Sequence, residues 1–236
     1  MQEKFNISFV MPMYNEEANI EKTISTLILI AEEVAQDFEI VVVDDASTDS
    51  SAKIVKSLSA KENKIKFFQL EKNTMFGGAF AECFKKAEKD IIVYMDSDMP
   101  VDQKDIKSSI PLIKNYSIVT GISKIKKGDT IFRKLVSMTY NFVVRILFGL
   151  NVKDINSGYK IVKKDFVKDL KFISKSPFID VELFLHARKK RAQITQYPLI
   201  FQPREGGKSY IASTPIMLAT VRDMLKVLYS YRLRIK

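Results

Sequence analysis

Four short apolar runs, two of them ending on acidic residues, set the limits on how this chain can fold. Phe5–Met11 stops at Pro12, and Phe38–Val43 runs into Asp44-Asp45. Ile65–Leu70 is the third, and Asp90–Met95 runs into Asp96-Ser97-Asp98. The segments between them have helical spacing. Ile20, Ile24, Leu27, Ile28, Ala31 and Val34 repeat across Glu16 to about Gln36, and Ile54, Val55 and Leu58 follow a cap at Ser47 or Thr48. Phe76–Glu88 supplies a third helix. Near-continuous apolar strands have no face to spare for water, so strands alternating with helices predict an α/β fold on a parallel sheet. In open sheets of that kind, ligands bind beyond the carboxyl ends of the strands. Asp44-Asp45 and Asp96/Asp98 lie on that one edge.

After Gly121 the pattern changes. Thr130–Leu150 reads as a helix that is apolar nearly all round and carries Arg133, Lys134 and Arg145. Residues 151–163 read as irregular or extended, Ile179–Lys190 as a helix, and Gln193–Leu199 as a strand. Pro203–Tyr210 is a Gly-rich basic loop, and a basic amphipathic helix follows from Pro215. The charge divides at the same place. Residues 1–121 carry a balance of −6 and residues 122–236 a balance of +16, and all eight arginines lie in the second part. That asymmetry fits a polyanionic partner, either nucleic acid or an anionic membrane face, although solvated lysine-rich helix faces give a similar total. No linker separates the parts, so a single domain over 1–236 is expected, with halves 1–121 and 122–236.

Composition excludes several classes. With 46% apolar residues the chain can build a core and is not disordered. The longest charge-free run, Ser209–Val221, has 13 residues, short of the roughly 20 that span a bilayer. Met1–Phe5 has no basic and apolar leader pattern, so no signal peptide is expected. One cysteine, Cys83, and one histidine, His186, exclude an internal disulfide and a multi-histidine metal site. His186 lies on a helix face, where a structural role is expected.

Two carboxylates at i and i+2 where a strand ends, Asp96 and Asp98, can share one hard divalent cation whose other ligands come from water and substrate phosphates. Pro12-Met13-Tyr14-Asn15-Glu16 reads either as an ordinary helix-capping turn or as the wall of a base or ribose pocket. Asp44 and Asp45 can accept hydrogen bonds from a uracil or guanine edge, and for Asp45 helix capping serves equally well.

Pro12-X-Tyr14-Asn15-Glu16, Val43-Asp44-Asp45-Ala46-Ser47-Thr48-Asp49 and Asp96-Ser97-Asp98 resemble the nucleotide-sugar half of a family 2 glycosyltransferase with the GT-A fold. Asp154–Lys160, Phe178–Leu183 and Arg204–Ser209 resemble its polyprenyl-phosphate branch, of the dolichol-phosphate mannose synthase and glucosyltransferase type. The resemblance implies that Pro12, Tyr14, Glu16 and Asp44 line the nucleotide pocket. It places Asp96 near ribose and metal, with Asp98 as the main ligand of Mg²⁺ or Mn²⁺. Arg204 and Ser209, with Lys208 beside them, would reach the diphosphate or the acceptor phosphate. Asp154, Lys160, Asp180 and Glu182 would shape the catalytic cleft, and Thr130–Leu150 would lie at the membrane interface. Four positions depart from the family pattern. Pro100 stands where a metal-binding Gln is usual, and Met75 where the Gly-rich segment has Gly. Lys124 is the only cation offered after Gly121, and Tyr210 replaces a Lys.

The implied reaction is inverting transfer of a hexose, mannose from GDP-mannose ahead of glucose from UDP-glucose, to dolichyl or polyprenyl phosphate. Such an acceptor is largely dianionic at pH 7 and needs no general base. A soluble glycan acceptor would need one, and Asp180 or Glu182 could serve. No nucleic-acid module is recognised, so nucleic acid is not expected as a partner. Ile131, Leu135, Met138, Phe142 and Ile146 form one stripe, and Met217, Val221, Leu225, Leu228 and Arg232 another. Basic amphipathic helices bind anionic interfaces, so peripheral attachment to the cytoplasmic side of a membrane is expected, directly or through an anchoring subunit or a second copy.

Overall fold

The structure is a computed structural model and describes residues 4–99, 101–126, 131–201 and 214–233. Seven strands form one sheet in the order β3-β2-β1-β4-β6-β5-β7. They are β1 (Phe5–Met13), β2 (Ala35–Asp44), β3 (Ile65–Gln69), β4 (Ile91–Met95), β5 (Ile118–Lys126), β6 (Tyr159–Lys163) and β7 (Ile194–Phe201). β1 to β4 are mutually parallel, as are β5 and β7, while β6 runs antiparallel between β4 and β5. The sheet is therefore mostly parallel, and strands from both sides of residue 121 share it.

The alternation along each strand explains why both faces are covered. Ile40 and Val42 of β2 enter one apolar layer, and Val41 and Val43 enter the other. The first layer is filled by α1 (Ile20–Val34), which buries Ile20, Ile24, Leu27, Ile30 and Ala31 at three- and four-residue steps. The second is filled by α3 (Phe76–Lys86) and α7 (Ile179–Lys189), with Phe80, Phe84, Leu183 and Phe184 in its centre. Each such side chain contributes about 1.5–3 kcal/mol by leaving water. Between these elements lie α2 (Ser51–Lys61), α4 (Gln103–Ser109) with a 3₁₀ turn at Ile110–Lys114, α5 (Ile131–Phe148), the single turn α6 (Lys164–Val167), and α8 (Thr214–Leu233).

The structure moves two expected boundaries and resolves one open reading. β1 does not stop at Pro12 but continues to Met13. Its pairing with β4 ends at Val10, and beyond that only β2 is paired, so the missing N–H of Pro12 costs no inner ladder bond. Residues 159–163, read as irregular or extended, are extended and form the strand β6 in the middle of the sheet. The α1 helix is also shorter than expected, since Ala35 already begins β2.

α5 and α8 are held through α7. The Phe148 and Phe178 rings are 5.5 Å apart. Arg188 donates to the Phe148 carbonyl, and its other nitrogen donates to the Tyr231 hydroxyl at 2.6 Å. The outer faces of both helices stay exposed. On α5 these are Leu135, Met138, Phe142 and Ile146, all above 60% exposed. On α8 they are Met217, Leu218, Val221, Leu225 and Tyr229, whereas Leu228, expected in that stripe, packs inward. No helix among the described residues is long and apolar enough to cross a membrane.

Candidate functional site

The carboxyl ends of β1, β2 and β4 meet on one edge, and the loops there are sewn together by short polar side chains. Asn15, at φ 55°, accepts from the Thr48 backbone N–H at 2.8 Å, and its own N–H donates to the Ser47 hydroxyl oxygen at 3.0 Å. Glu16 is buried, its N–H donates to Ser51 Oγ at 2.7 Å, and its carboxylate accepts from the Asn19 amide at 3.0 Å. Tyr14 is half-buried on the same turn, just beyond Pro12. The turn thus joins two loops and holds Tyr14 at the edge, while the N-cap of α1 is Asn19, which makes no side-chain cap bond.

Asp44 is the last residue of β2 and Asp45 the first beyond it, and the two carboxylates have different partners. Asp44 is wholly buried. Its Oδ1 accepts from the N–H and hydroxyl of Ser47, and its Oδ2 from the Gln69 amide at 2.9 Å. Asp45 Oδ1 accepts from the Thr74 N–H at 2.6 Å and from its hydroxyl at 2.8 Å. Burial raises the Asp45 carboxyl, against those two bonds. Asp45 therefore anchors the loop before α3. That loop contains Met75 at φ 65°, ψ 168°, a region that L-residues rarely enter. Met75 is the residue that stands where the resembling family has Gly.

Asp96 follows β4 and is fixed from three directions. Its N–H donates to the Gly158 carbonyl at 3.1 Å, and its Oδ1 accepts from the Tyr94 hydroxyl at 3.0 Å. Its Oδ2 lies so close above Gly158 that a Cβ there would sit 2.3 Å away. The Ser97 carbonyl accepts from the Thr23 hydroxyl at 2.9 Å, which ties the turn to α1. Burial, and then the charge of Asp98, push the Asp96 carboxyl up to about 7, while Lys160 pulls it back. A carboxylate held against burial and a like charge is one that a divalent cation relieves, so Asp96 and Asp98 fit the expected metal pair. No group of three or more His, Cys, Asp or Glu among the described residues is placed to hold a metal. Water and substrate phosphates would have to complete the coordination shell.

Behind Asp96 lies a buried ion pair. Lys160, opposite Tyr94 in the β4–β6 register, reaches Asp180 Oδ1 at 2.8 Å and donates to the Ser157 carbonyl. Its ammonium also sits 5.5 Å from the Tyr94 ring centroid. Burial raises Asp180, and Lys160 opposes that. Glu182 is engaged elsewhere, since its two oxygens accept from the Ile173 and Ser174 N–H groups at 2.8 and 2.9 Å. Asp154, at φ 50°, accepts from the Ser123 N–H at 3.3 Å and shapes the loop before β6. His186 packs edge-on against Phe172, 4.0 Å from Glu182, and burial lowers its pKa, which matches the structural role expected.

Of the residues singled out from sequence, Asp96, Asp98, Lys160 and Asp180 gather around the end of β4, with Asp154 on the loop leading into β6. Pro12, Tyr14, Glu16, Asp44 and Asp45 form the neighbouring edge. Arg204, Lys208, Ser209, Pro100 and Tyr210 lie outside the described residues. Sequence reasoning missed Tyr94, Gly158 and Gln69. Tyr94 was findable, because it is two residues before Asp96 and so on the same strand face.

The model of "Glycosyl transferase family 2" matches residues 8–171, which is most of the chain and all of this edge. The chain belongs to glycosyl transferase family 2. Among curated family 2 relatives, it is 25% identical over 207 residues to Glycosyltransferase AglD of Haloferax volcanii, covering 84% of this chain and 33% of that protein. It is 26% identical over 232 residues to the undecaprenyl-phosphate 4-deoxy-4-formamido-L-arabinose transferase of Pectobacterium atrosepticum, covering 98% of this chain and 69% of that one. The chain thus spans about a third of the first relative's length. Among solved structures, glucosyl-3-phosphoglycerate synthase from Mycobacterium tuberculosis, in complex with Mn²⁺, UDP and phosphoglyceric acid, superposes with a TM-score of 0.71 at 17% identity, covering 95% of this chain and 78% of that one. The likeness establishes the GT-A fold.

Proposed function

We propose that this chain transfers a hexose from a nucleotide sugar to a polyprenyl or dolichyl phosphate, inverting the anomeric carbon. One observation carries the choice of acceptor. The site has carboxylates for a cation, yet both acids that could deprotonate a sugar hydroxyl are committed, Asp180 to Lys160 and Glu182 to the amides of Ile173 and Ser174. A phosphomonoester, with a second pKa near 6, arrives already ionised and needs no base. The Pectobacterium relative, an undecaprenyl-phosphate 4-deoxy-4-formamido-L-arabinose transferase, supports the same class. GDP-mannose is taken first as donor and UDP-glucose second, the Phe178–Leu183 and Arg204–Ser209 motifs resembling a branch that holds both the mannose synthase and the glucosyltransferase.

Asp96 and Asp98 would hold Mg²⁺ or Mn²⁺, which supplies positive charge at the diphosphate as it leaves. Mn²⁺ and UDP together in the Mycobacterium enzyme support that assignment. Tyr94 and Gly158 hold Asp96 in place, and the raised pKa of the buried Tyr94 phenol keeps it a donor to that carboxylate. The acceptor phosphate attacks the anomeric carbon opposite the diphosphate, so one bond forms as the other breaks and no glycosyl-enzyme is made. Arg204, Lys208 and Ser209 are assigned to the phosphates, which must meet despite their repulsion.

Residues 1–121 are assigned to the donor, and 122–236 to the acceptor and the membrane. The exposed stripe of α5, flanked by exposed Arg145, and that of α8, flanked by exposed Arg222 and Lys226, suit an anionic interface on the cytoplasmic side. An anchoring subunit or a second copy would serve the same faces.

Swapping the acceptor tests the proposal. Label from a nucleotide sugar should enter the butanol phase with a short polyprenyl phosphate. It should not do so with the same prenol lacking phosphate. Equal labelling of the prenol, or labelling of a soluble acceptor alone, would contradict it.

A further inference from the structure

Asp44 is one of the residues expected to face the nucleobase, yet it is wholly buried. What closes it is specific. Two of its three donors, the N–H and hydroxyl of Ser47, belong to a tight local turn. The third is the carboxamide of Gln69, which donates to Oδ2 at 2.9 Å from the facing residue of β3. The strand ends themselves are locked, since Leu70 N–H donates to the Asp44 carbonyl at 2.9 Å. Gln69 is exposed and long, so its amide alone can leave without disturbing backbone.

The geometry points to Gln69 as a displaceable cap on Asp44 that tunes affinity for the base of the donor nucleotide. A primary carboxamide presents an N–H beside a carbonyl, the pattern found on the imide edge of uracil and the lactam edge of guanine. Gln69 therefore occupies Asp44 as a surrogate for the base. On nucleotide entry the base N–H takes over Oδ2, and the Gln69 amide turns to water. The exchange conserves hydrogen bonds at Asp44 but removes one that the empty protein makes to itself, so the cap weakens nucleotide binding. This inference rests on the nucleotide-sugar reading of the edge.

The test is calorimetric titration of wild type, Gln69→Ala and Gln69→Met with UDP, GDP and inorganic pyrophosphate, all with Mn²⁺. Methionine keeps the length of glutamine and cannot donate. Both variants should bind the preferred nucleoside diphosphate about two- to tenfold more tightly, matching one net hydrogen bond, with pyrophosphate unchanged. Unchanged or weaker nucleotide binding in both variants overturns the cap. So does a gain in Gln69→Ala alone, which would make the effect steric. If wild type and variants bind pyrophosphate but neither nucleotide, the base-pocket reading falls, and the cap with it.

Discussion

Lys160 Nζ and Asp180 Oδ1 are 2.8 Å apart, with side chains 0% and 3% exposed, directly behind the carboxylate that ends β4. A buried pair of this kind adds little net stability, but removing one partner strands the other charge. Lys160→Met and Asp180→Leu are each expected to cost about 3–5 kcal/mol in urea unfolding. The double variant Lys160→Met/Asp180→Leu should recover most of that loss, giving a large coupling energy in the cycle. Additive losses would mean that the two groups do not depend on each other.

Gly158 is required by close approach. A methyl group there would sit 2.3 Å from Asp96 Oδ2, so the carboxylate must rotate away from Tyr94. Gly158→Ala should keep the far-ultraviolet circular dichroism of the wild type. Its affinity for Mn²⁺ in the presence of nucleotide should fall about 10- to 100-fold, the usual cost of losing the support behind a ligand. Unchanged Mn²⁺ affinity would separate Gly158 from the metal pair.

Met75 carries strain that the family pattern avoids with Gly. Its φ of 65° and ψ of 168° lie in a region that costs a side-chain-bearing residue on the order of 1–3 kcal/mol. Met75→Gly should therefore raise unfolding stability by about 1 kcal/mol after the added chain entropy of Gly is subtracted. For a domain of this size that is about 2–4 °C in Tm. A fall in Tm would show that Met75 packing outweighs its backbone.

How much of this was legible follows the physics of each element. The four runs of the first half announced their strands because each is predominantly apolar, and the acidic ends of two followed from where they stop. β6 hid because Tyr159-Lys160-Ile161-Val162-Lys163 carries a lysine in the sheet interior, and hydropathy cannot see its partner twenty residues away. Asp96 and Asp98 stood out as a candidate metal pair because their i, i+2 spacing closes an apolar strand beside a second acidic strand end. Glu182 was not, because its role depends on amides of a loop that only the fold brings to it. Gln69 gave no local signal, since its meaning lies in the β2–β3 register.

The α5 stripe is a surface prediction. Met138→Glu/Phe142→Glu places two charges on side chains that are 68% and 62% exposed, so the fold should survive. Each apolar side chain inserted at an interface contributes about 1.5–3 kcal/mol. Co-sedimentation with vesicles containing phosphatidylserine should therefore drop at least tenfold, with nucleotide binding unchanged. Equal sedimentation of variant and wild type would place the stripe against another partner.

Asp98, with a divalent cation, is proposed to serve hexose transfer to a lipid phosphate. The measurement is label transfer from GDP-mannose and then UDP-glucose to a short polyprenyl phosphate, for wild type and Asp98→Ala, with Mn²⁺ or with chelator. Organic-phase label is expected from one of the two donors, reduced on the order of 100-fold or more by Asp98→Ala and by chelation. Transfer that persists undiminished in Asp98→Ala, or no transfer from either donor by wild type, would contradict it.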